Sequence, residues 1–546
     1  MSELVLGLHA SMNAFSHDSS ACLIQSGQII AATEEERISR NKVSLGYFPK
    51  GAIQACLSMN GVSLADVGSV AVDGITYPQM AEKIRNNLKH HFGACPPVTL
   101  VDHAEAHAAG AFLSSGFHEA LVVSADGVGD KTSTLVWSAK NHGGKLEHSE
   151  LYRAGFEESL GVFYTTFTSY LGFRQVEGEY KVMGMAAYGE PRYDLSSLLS
   201  FDSHSGAVVA PSGVSYAGRA TMTSIDEPAY DEESLFKLTG VRRPKPGGQF
   251  TQAHFDLAAS VQWQFQETYL GLIEYYVRKN KAEYLCVAGG CALNASANRR
   301  LLDLGLKGVY IMPAASDRGI SMGAAMLHAS QSGQHVQPVT SMALGRQFTE
   351  DEVVKVLTEA GIQYEFTEDV FKTCSEALER GEVVGWFQGR SEYGPRALGQ
   401  RSILANGAID GMKDILNRKI KFREAFRPFA PAVLSGEMDF SAYPTDLEYM
   451  TFTIDAPKQL KDGLPEAVHF DGTSRIQVVN PLSNPVFSEL LSVVKKSTGF
   501  AGVINTSFNL AGEPIVDSPQ DALRTFFSSG LDTLFMGNVV VTKALK

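Results

Sequence analysis

Long apolar runs are missing from this chain. No stretch approaches the roughly 18 apolar residues that a membrane-crossing helix needs, so no membrane partner is expected. The first residues, MSELVLGLHASMNAFSHD, lack the basic start and apolar core of a secretory signal. Cysteine is sparse: the six residues Cys22, Cys56, Cys95, Cys286, Cys291 and Cys374 form no C-x-x-C pair. Neither a disulfide framework nor a structural zinc site is indicated, and a reducing cytoplasm is the natural home. Positive charge is in deficit, with 47 Lys and Arg against 60 Asp and Glu, a net charge of −13. Such a surface repels a polyanion, so nucleic acid is not an expected partner. What remains, 546 residues with 44% hydrophobic content, is an ordinary globular chain with room for roughly two to four folding units.

One stretch breaks the acidic pattern. Residues 389–431, GRSEYGPRALGQRSILANGAIDGMKDILNRKIKFREAFRPFAP, hold nine cations (Arg390, Arg396, Arg401, Lys413, Arg418, Lys419, Lys421, Arg423, Arg427) against four acids (Glu392, Asp410, Asp414, Glu424). Arginine presents a planar fork of donors that matches phosphate and carboxylate, so such a cluster suits a small phosphorylated substrate. A solvated charged helix over 412–422 with scattered surface arginines is the plain alternative.

Taken in order, residues 4–8, 21–25 and 28–33 read as a strand meander with tight turns. The pattern returns at 120–124, 132–138 and near Leu146, with Asp126-Gly127-Val128-Gly129-Asp130 as the first turn. Helical patterns follow each meander, at 49–59 and 163–171. This predicts a duplicated α/β lobe able to close on a nucleotide. Residues 200–248 read as an irregular surface insertion and 256–279 as a long helix. The strand at 284–288 runs through Gly289-Gly290-Cys291-Ala292-Leu293-Asn294 into a helix, which allows close backbone approach to an anionic ligand. A further strand (309–312) and a small-residue helix (319–330) precede a polar boundary between 330 and 345.

Two constellations suit chemistry. His103 and His107 lie one helical turn apart on one face, and Asp126 and Asp317 each follow a strand end. Two imidazoles with carboxylates suit iron, manganese or zinc rather than magnesium, although imidazoles that merely cap and line a helix share this spacing. His17 and Asp18, in the first turn, suit a base and its orienter. The run Glu34-Glu35-Glu36-Arg37, with Arg40 and Lys42 beyond, reads as a solvated helix start. Lys181 suits a phosphate contact or a surface site.

The ordered series HDSSA (17–21), EEER (34–37), HAEAH (103–107), SADG (124–127), KVMGMAAYG (181–189), GGCALN (289–294), SDRGIS (316–321), GPRALGQRSIL (394–404), RPFAP (427–431) and NTSFN (505–509) resembles the O-carbamoyltransferase family of the NodU, CmcH and TobZ type. The resemblance implies an α/β chain with an actin and sugar-kinase-like (ASKHA) domain over 1–340 and a YrdC-like α/β domain over 345–546. It implies an ATP-dependent carbamoyltransferase that makes carbamoyl-adenylate from carbamoyl phosphate and ATP, then carbamoylates a hydroxyl of a small molecule in antibiotic or other secondary-metabolite biosynthesis. Implied cofactors are ATP, Mg2+ and Fe2+ or another divalent transition metal, and a homodimer is allowed. By motif match the metal ligands are His103, His107, Asp126 and Asp317, and the catalytic residues are His17, Asp18, Lys421 and Arg427. Carbamoyl phosphate and ATP fall to Arg396, Arg401, Lys421, Arg423, Arg427, Arg475, Asn505 and Ser507; the adenylate falls to Lys42, Lys181, Gly289, Gly290 and Asn294. A small-molecule kinase and a nucleotide-gated binding protein are the competing readings.

Overall fold

The computed structural model describes residues 4–12, 16–143, 145–211, 230–245 and 247–543. The chain divides into two compact units: Met1–Glu35 with Val43–Val339, and Thr340–Lys546 with the short segment Glu36–Lys42. Residues 36–42 therefore group with the second unit, whereas the sequence division at 340–345 had counted them with the first.

In the first unit β1 (Leu4–His9), β2 (Ser20–Gln25) and β3 (Gln28–Glu34) form an antiparallel meander, and β4 (Ser69–Asp73) and β5 (Val98–Val101) extend it in parallel. The order is β3-β2-β1-β4-β5. The second sheet repeats it. The meander β6 (Glu119–Gly129), β7 (Thr132–His142) and β8 (Lys145–Ala154) is joined by parallel β11 (Tyr284–Ala288) and β12 (Gly308–Ile311), after a separate hairpin of β9 (Ser200–Asp202) and β10 (Ala207–Val209). Its order is β12-β11-β6-β7-β8, the same path walked twice. This is the duplicated α/β lobe expected from the two meanders.

Two local expectations change. Residues 126–129 do not turn: β6 stays extended to Gly129, and its register with β7 shifts between Ala125 and Gly129, so a bulge presents Asp126. The 200–248 insertion carries the β9–β10 hairpin and the helix Glu232–Thr239, with 212–229 and 246 outside the described residues.

Small residues let the functional helices come close. A Cβ on Gly323 would lie 1.9 Å from the Ala106 carbonyl oxygen, so the Ile320–Gln331 helix touches the His103–Ser115 helix backbone to backbone. On its other side a Cβ on Gly7 of β1 would lie 1.9 Å from Ser321 O. The run HAEAHAAGAF against ISMGAAM is thus a packing code. It brings His103 and His107 beside Asp317, which directly precedes the second helix.

The second unit contains β13 (Glu365–Phe366), β14 (Val384–Phe387), β15 (Arg401–Ala405), β16 (Ala430–Leu434), a β17 (Ile454–Asp455) and β18 (Thr473–Ser474) hairpin, β19 (Gln477–Val479), β20 (Gly502–Ser507), β21 (Thr533–Met536) and β22 (Val539–Thr542). Eight of them make one mixed sheet, ordered β13-β22-β21-β14-β15-β20-β16-β19. The helices Val370–Glu379 and Pro485–Thr498 cover it through Leu378, Phe487, Leu491 and Val494, packed on Trp386 and Phe535. It is an α/β unit. The helix expected over 412–422 is a single α-turn, Met412–Ile415, that widens into a π-helix, Leu416–Lys421, closed by Phe422 at φ +46°. No helix among the described residues is long and apolar enough to cross a membrane.

The EEER run is not a solvated face. Glu34, Glu35, Glu36 and Arg37 are all buried. Arg37 donates to Gly394 O, and Arg40 donates to Pro514 O and Ile515 O and pairs with Asp521, which fastens this segment into the second unit.

Candidate active site and metal centre

The carboxyl ends of the first unit's strands converge on one cavity of about 510 Å³, lined by His9, His17, Asp73, His103, Asp126 and Asp317 at its polar end and by Phe156, Tyr164, Met183, Phe265 and Leu293 elsewhere. Ligands gather at strand ends of this kind because helix N-termini and loop side chains face inward there.

The four expected metal ligands come together. His103 Nε2 lies 3.5 Å from both Asp126 Oδ2 and Asp317 Oδ1, and His107 Nε2 lies 3.8 and 3.5 Å from the same two atoms. One ligand atom from each residue lies within 4.8 Å of all the others. His103 Nε2, His107 Nε2 and Asp317 Oδ1 are buried and have no hydrogen-bond partner. Burying such atoms unpaired costs several kcal/mol, so a donor set of two imidazoles and two carboxylates aimed at one point fits a divalent transition ion. Without a cation, burial works against the charged forms, but the Asp317, Asp126 and Asp73 carboxylates hold His103 well above the usual imidazole range. In return, and also against burial, His103 and His107 hold Asp126 well below the usual carboxylate range.

The surroundings of the cluster are ordered by residues the sequence reading missed. Asp73, at the end of β4, accepts from His103 Nδ1 and His9 Nδ1, both at 2.8 Å. Asp130 accepts from the backbone N–H of Gly74, Ile75, Thr76 and His103 and from Thr76 Oγ1. It pins the first turn of the His103–Ser115 helix to the 74–76 loop. Gly290 N donates to Asp126 Oδ1 at 2.7 Å. Gly289, at φ +84°, has room for no side chain, because a Cβ would lie 2.1 Å from Ala125 O. Strand-end positions of His9 and Asp73 are the one signal that pointed to them.

His17 lines the same cavity, with Nδ1 3.9 Å from Asp317 Oδ2 and 3.6 Å from Asp18 Oδ2. Burial pulls its pKa down, but Asp317, Asp18 and Asp126 outweigh that and raise it to about 9. Asp18 differs from its expected role as orienter. Its carboxylate is buried at φ +61°, ion-paired with Arg318 Nη2 at 2.7 Å and accepting from Ser316 Oγ at 3.0 Å. It anchors the loop first and faces His17 only at ion-pair distance.

The remaining expected residues divide. Asn294 lines the cavity, yet its amide is engaged: Oδ1 caps Ala297 N and accepts from Gln262, and Nδ2 donates to Gln262 Oε1. Lys181 places its ammonium over the Phe173 ring rather than on the cavity wall. Lys42 groups with the second unit, where Nζ donates to Glu513 O. One more carboxylate lines the cavity: Glu179, whose Oε1 accepts from Thr165 Oγ1 and Val176 N while Val176 is held at φ +70°, a strained conformation for a β-branched residue.

In the second unit Lys421 ends the π-helix and is buried among oxygens, donating to Ser507 O, Ser507 Oγ, Asn509 O and Asn509 Oδ1 at 2.5–3.3 Å. Burial, then Arg423, Arg427 and Lys42, push its amine well below the usual lysine range. Arg423 stacks on Phe429 and donates to Asn417 Oδ1; Arg427 faces Glu424 at 3.9 Å. These cations repel one another. Arg475 lies near His469, whose pKa burial and that arginine push down to about 4. Arg396 is half-buried in the GPRALG loop. Two of the expected residues are engaged in the fold here. Arg401 is fully buried, stacked 3.6 Å from the centre of the Phe387 ring, and donates to the carbonyls of Gln388, Gly389, Gln400 and Arg346, so it builds the loop instead of facing a phosphate. Asn505 likewise spends its Nδ2 on Ala397 O and Gln477 Oε1.

Comparison with known proteins agrees with this picture. Residues 76–326 match the family described as carbamoyltransferase N-terminus, and residues 375–543 match carbamoyltransferase C-terminus. An uncharacterised Synechocystis protein, sll1178, is 35% identical over 97% of this chain and 96% of its own length. The nodulation protein NolNO of Sinorhizobium fredii is 33% identical over 97% of this chain and 80% of its own length. Among solved structures, component A of the Acidaminococcus fermentans (R)-2-hydroxyglutaryl-CoA dehydratase covers 61% of this chain and 99% of its own, at 16% identity and a TM-score of 0.35, a remote likeness only. With two-domain matches and relatives of this identity along nearly the whole chain, the protein belongs to the carbamoyltransferase family and is a carbamoyltransferase.

Proposed function

We propose that the chain is an ATP-dependent O-carbamoyltransferase whose second unit, read as YrdC-like, forms carbamoyl-adenylate, and whose first unit delivers the carbamoyl group to a hydroxyl of a small molecule of secondary or antibiotic metabolism. The observation that carries this reading is the cluster of His103, His107, Asp126 and Asp317, three of which line one cavity with His17. In the activation step carbamoyl phosphate loses inorganic phosphate to water. The resulting carbamate oxygen attacks the α-phosphorus of ATP, accompanied by Mg2+, and pyrophosphate leaves. Lys421, Arg423 and Arg427 offset the charge that gathers there. In the transfer step the neutral form of His17, populated as pH approaches its raised pKa of about 9, accepts the proton of the acceptor hydroxyl as its oxygen attacks the carbamoyl carbon. The carbon–oxygen bond to AMP breaks, and the alkyl carbamate and AMP are released. A divalent transition ion such as Fe2+ held by the four ligands would supply Lewis-acid polarisation of the acyl or phosphoryl oxygen. The neighbouring aromatic and aliphatic wall excludes the water that would hydrolyse the adenylate.

The test is a mass-resolved screen of hydroxyl acceptors with carbamoyl phosphate, ATP and metal. Each carbamoylated acceptor should appear with one equivalent of AMP. ADP in place of AMP would move the chain to the kinases, and tight ATP binding without turnover to the nucleotide-gated binders.

A further inference from the structure

Hydrogen bonding in the metal cluster continues beyond its four ligands. His103 faces the cluster with Nε2, and its Nδ1 is 2.8 Å from Asp73 Oδ2. The other Asp73 oxygen is 2.8 Å from His9 Nδ1, and His9 Nε2 is 2.9 Å from the carbonyl oxygen of His17. Carboxylate and carbonyl oxygens only accept. His103 therefore donates from Nδ1, and His9 donates from both ring nitrogens. All three side chains are buried, at 3%, 4% and 4% exposure for His9, Asp73 and His103, so water cannot stand in for a lost partner.

We propose that Asp73 and His9 are positioning residues that set the metal ligand His103 and the His17 loop together. Asp73 fixes the His103 proton on Nδ1 and leaves the Nε2 lone pair for the ion. His9 carries that constraint to the backbone of His17. Metal occupancy and the placement of the proton acceptor are thereby coupled through one buried chain of hydrogen bonds, from β4 to β1 to the β1–β2 loop. This rests on reading the four-residue cluster as a metal centre, and adds two residues outside the four-ligand set.

The experiment uses the full chain stripped with chelator and titrated with Co2+, followed by its visible absorption bands. Wild type should bind one Co2+ and His107→Ala should not. Asp73→Leu, which keeps the γ-branched shape and removes both acceptors, should bind Co2+ about 10–100-fold more weakly and with altered band intensities. Asp73→Asn should recover most of the affinity. Its amide oxygen can still face His103 while its NH2 faces His9, which then keeps a single proton on Nε2 for the His17 carbonyl. The second arm is hydrogen exchange of the peptide covering residues 16–20. Co2+ should slow it in wild type, whereas His9→Gln should bind Co2+ without that slowing; this arm decides the matter even where Asp73→Leu folds poorly. Equal Co2+ affinity of folded Asp73→Leu and wild type overturns the proposal, as does undiminished slowing in His9→Gln. Failure of wild type to bind Co2+, or equal binding by His107→Ala, overturns the metal centre and this proposal with it. The acceptor screen is left to judge carbamoyl transfer.

Discussion

Glu35→Gln tests a contest between a helix terminus and burial. The Lys50–Met59 helix begins after Pro49, which offers no side-chain cap. Glu35 supplies one from outside, with Oε2 accepting from Ala52 N at 2.7 Å. A helix N-terminus favours a carboxylate by about 0.3–1 kcal/mol. Burial is the larger effect, and it raises this acid from 4.5 to about 7 despite the Ala52 and Gly51 N–H groups and Lys50. The folded-state value lies above the unfolded one. Stability from this group is therefore complete below the unfolded pKa and is lost as pH rises through 7. The gap between 4.5 and about 7, at about 1.36 kcal/mol per unit, corresponds to a loss of about 3 kcal/mol by pH 8. Glutamine keeps an oxygen for Ala52 N and cannot ionise. Denaturant midpoints of the first unfolding transition, measured for both proteins from pH 5 to pH 8, should show the variant gaining about 2 to 3 kcal/mol on wild type across that window. Differencing the two proteins cancels every other titrating group. A stability difference that stays constant with pH refutes the reasoning.

Three further outcomes follow from the sites. Asp130→Ala strands four backbone N–H donors at 2.8–3.2 Å, so thermal denaturation should register a loss of about 3–5 kcal/mol, while Asp130→Asn should cost less. Gly129→Ala puts a Cβ 2.2 Å from the His103 ring, so Co2+ binding should weaken at least tenfold with little change in the second unit's phosphate affinity. At Lys421 the free amine is depressed by burial and by Arg423, Arg427 and Lys42, and a dianion bound there would restore its charge. Inorganic phosphate binding at pH 8.5 should then take up protons, seen as a buffer-dependent heat in calorimetry, and should weaken as pH rises further. Buffer-independent heats contradict this.

The parts of the fold that were legible in the sequence are those where local chemistry and tertiary environment agree. Val, Ile and Leu runs such as residues 4–8 and 284–288 became central strands because both faces are buried. Asp126 to Asp130 misled for a physical reason: Asp-Gly favours a turn, but pairing with β7 holds the chain extended through a bulge. EEER misled because charge alone does not reveal burial, and its partners lie hundreds of residues away, as Arg37 to Gly394 shows. The HAEAH spacing exposed one face of a helix. Nothing local linked it to Asp73 or His9, since the parallel pairing of β1 and β4 alone sets those two strand ends side by side. Arginine counts in 390–427 marked a cationic segment but could not separate Arg401, inside the loop, from Lys421, among its oxygens.

The account's central claim is that carbamoyl phosphate is activated as an adenylate before any acceptor is engaged. Isotope exchange reads this directly: with protein, ATP and carbamoyl phosphate but no acceptor, labelled pyrophosphate should enter ATP, and Lys421→Met should abolish the incorporation. Absence of label in ATP with active wild type, or exchange that proceeds equally without carbamoyl phosphate, contradicts it.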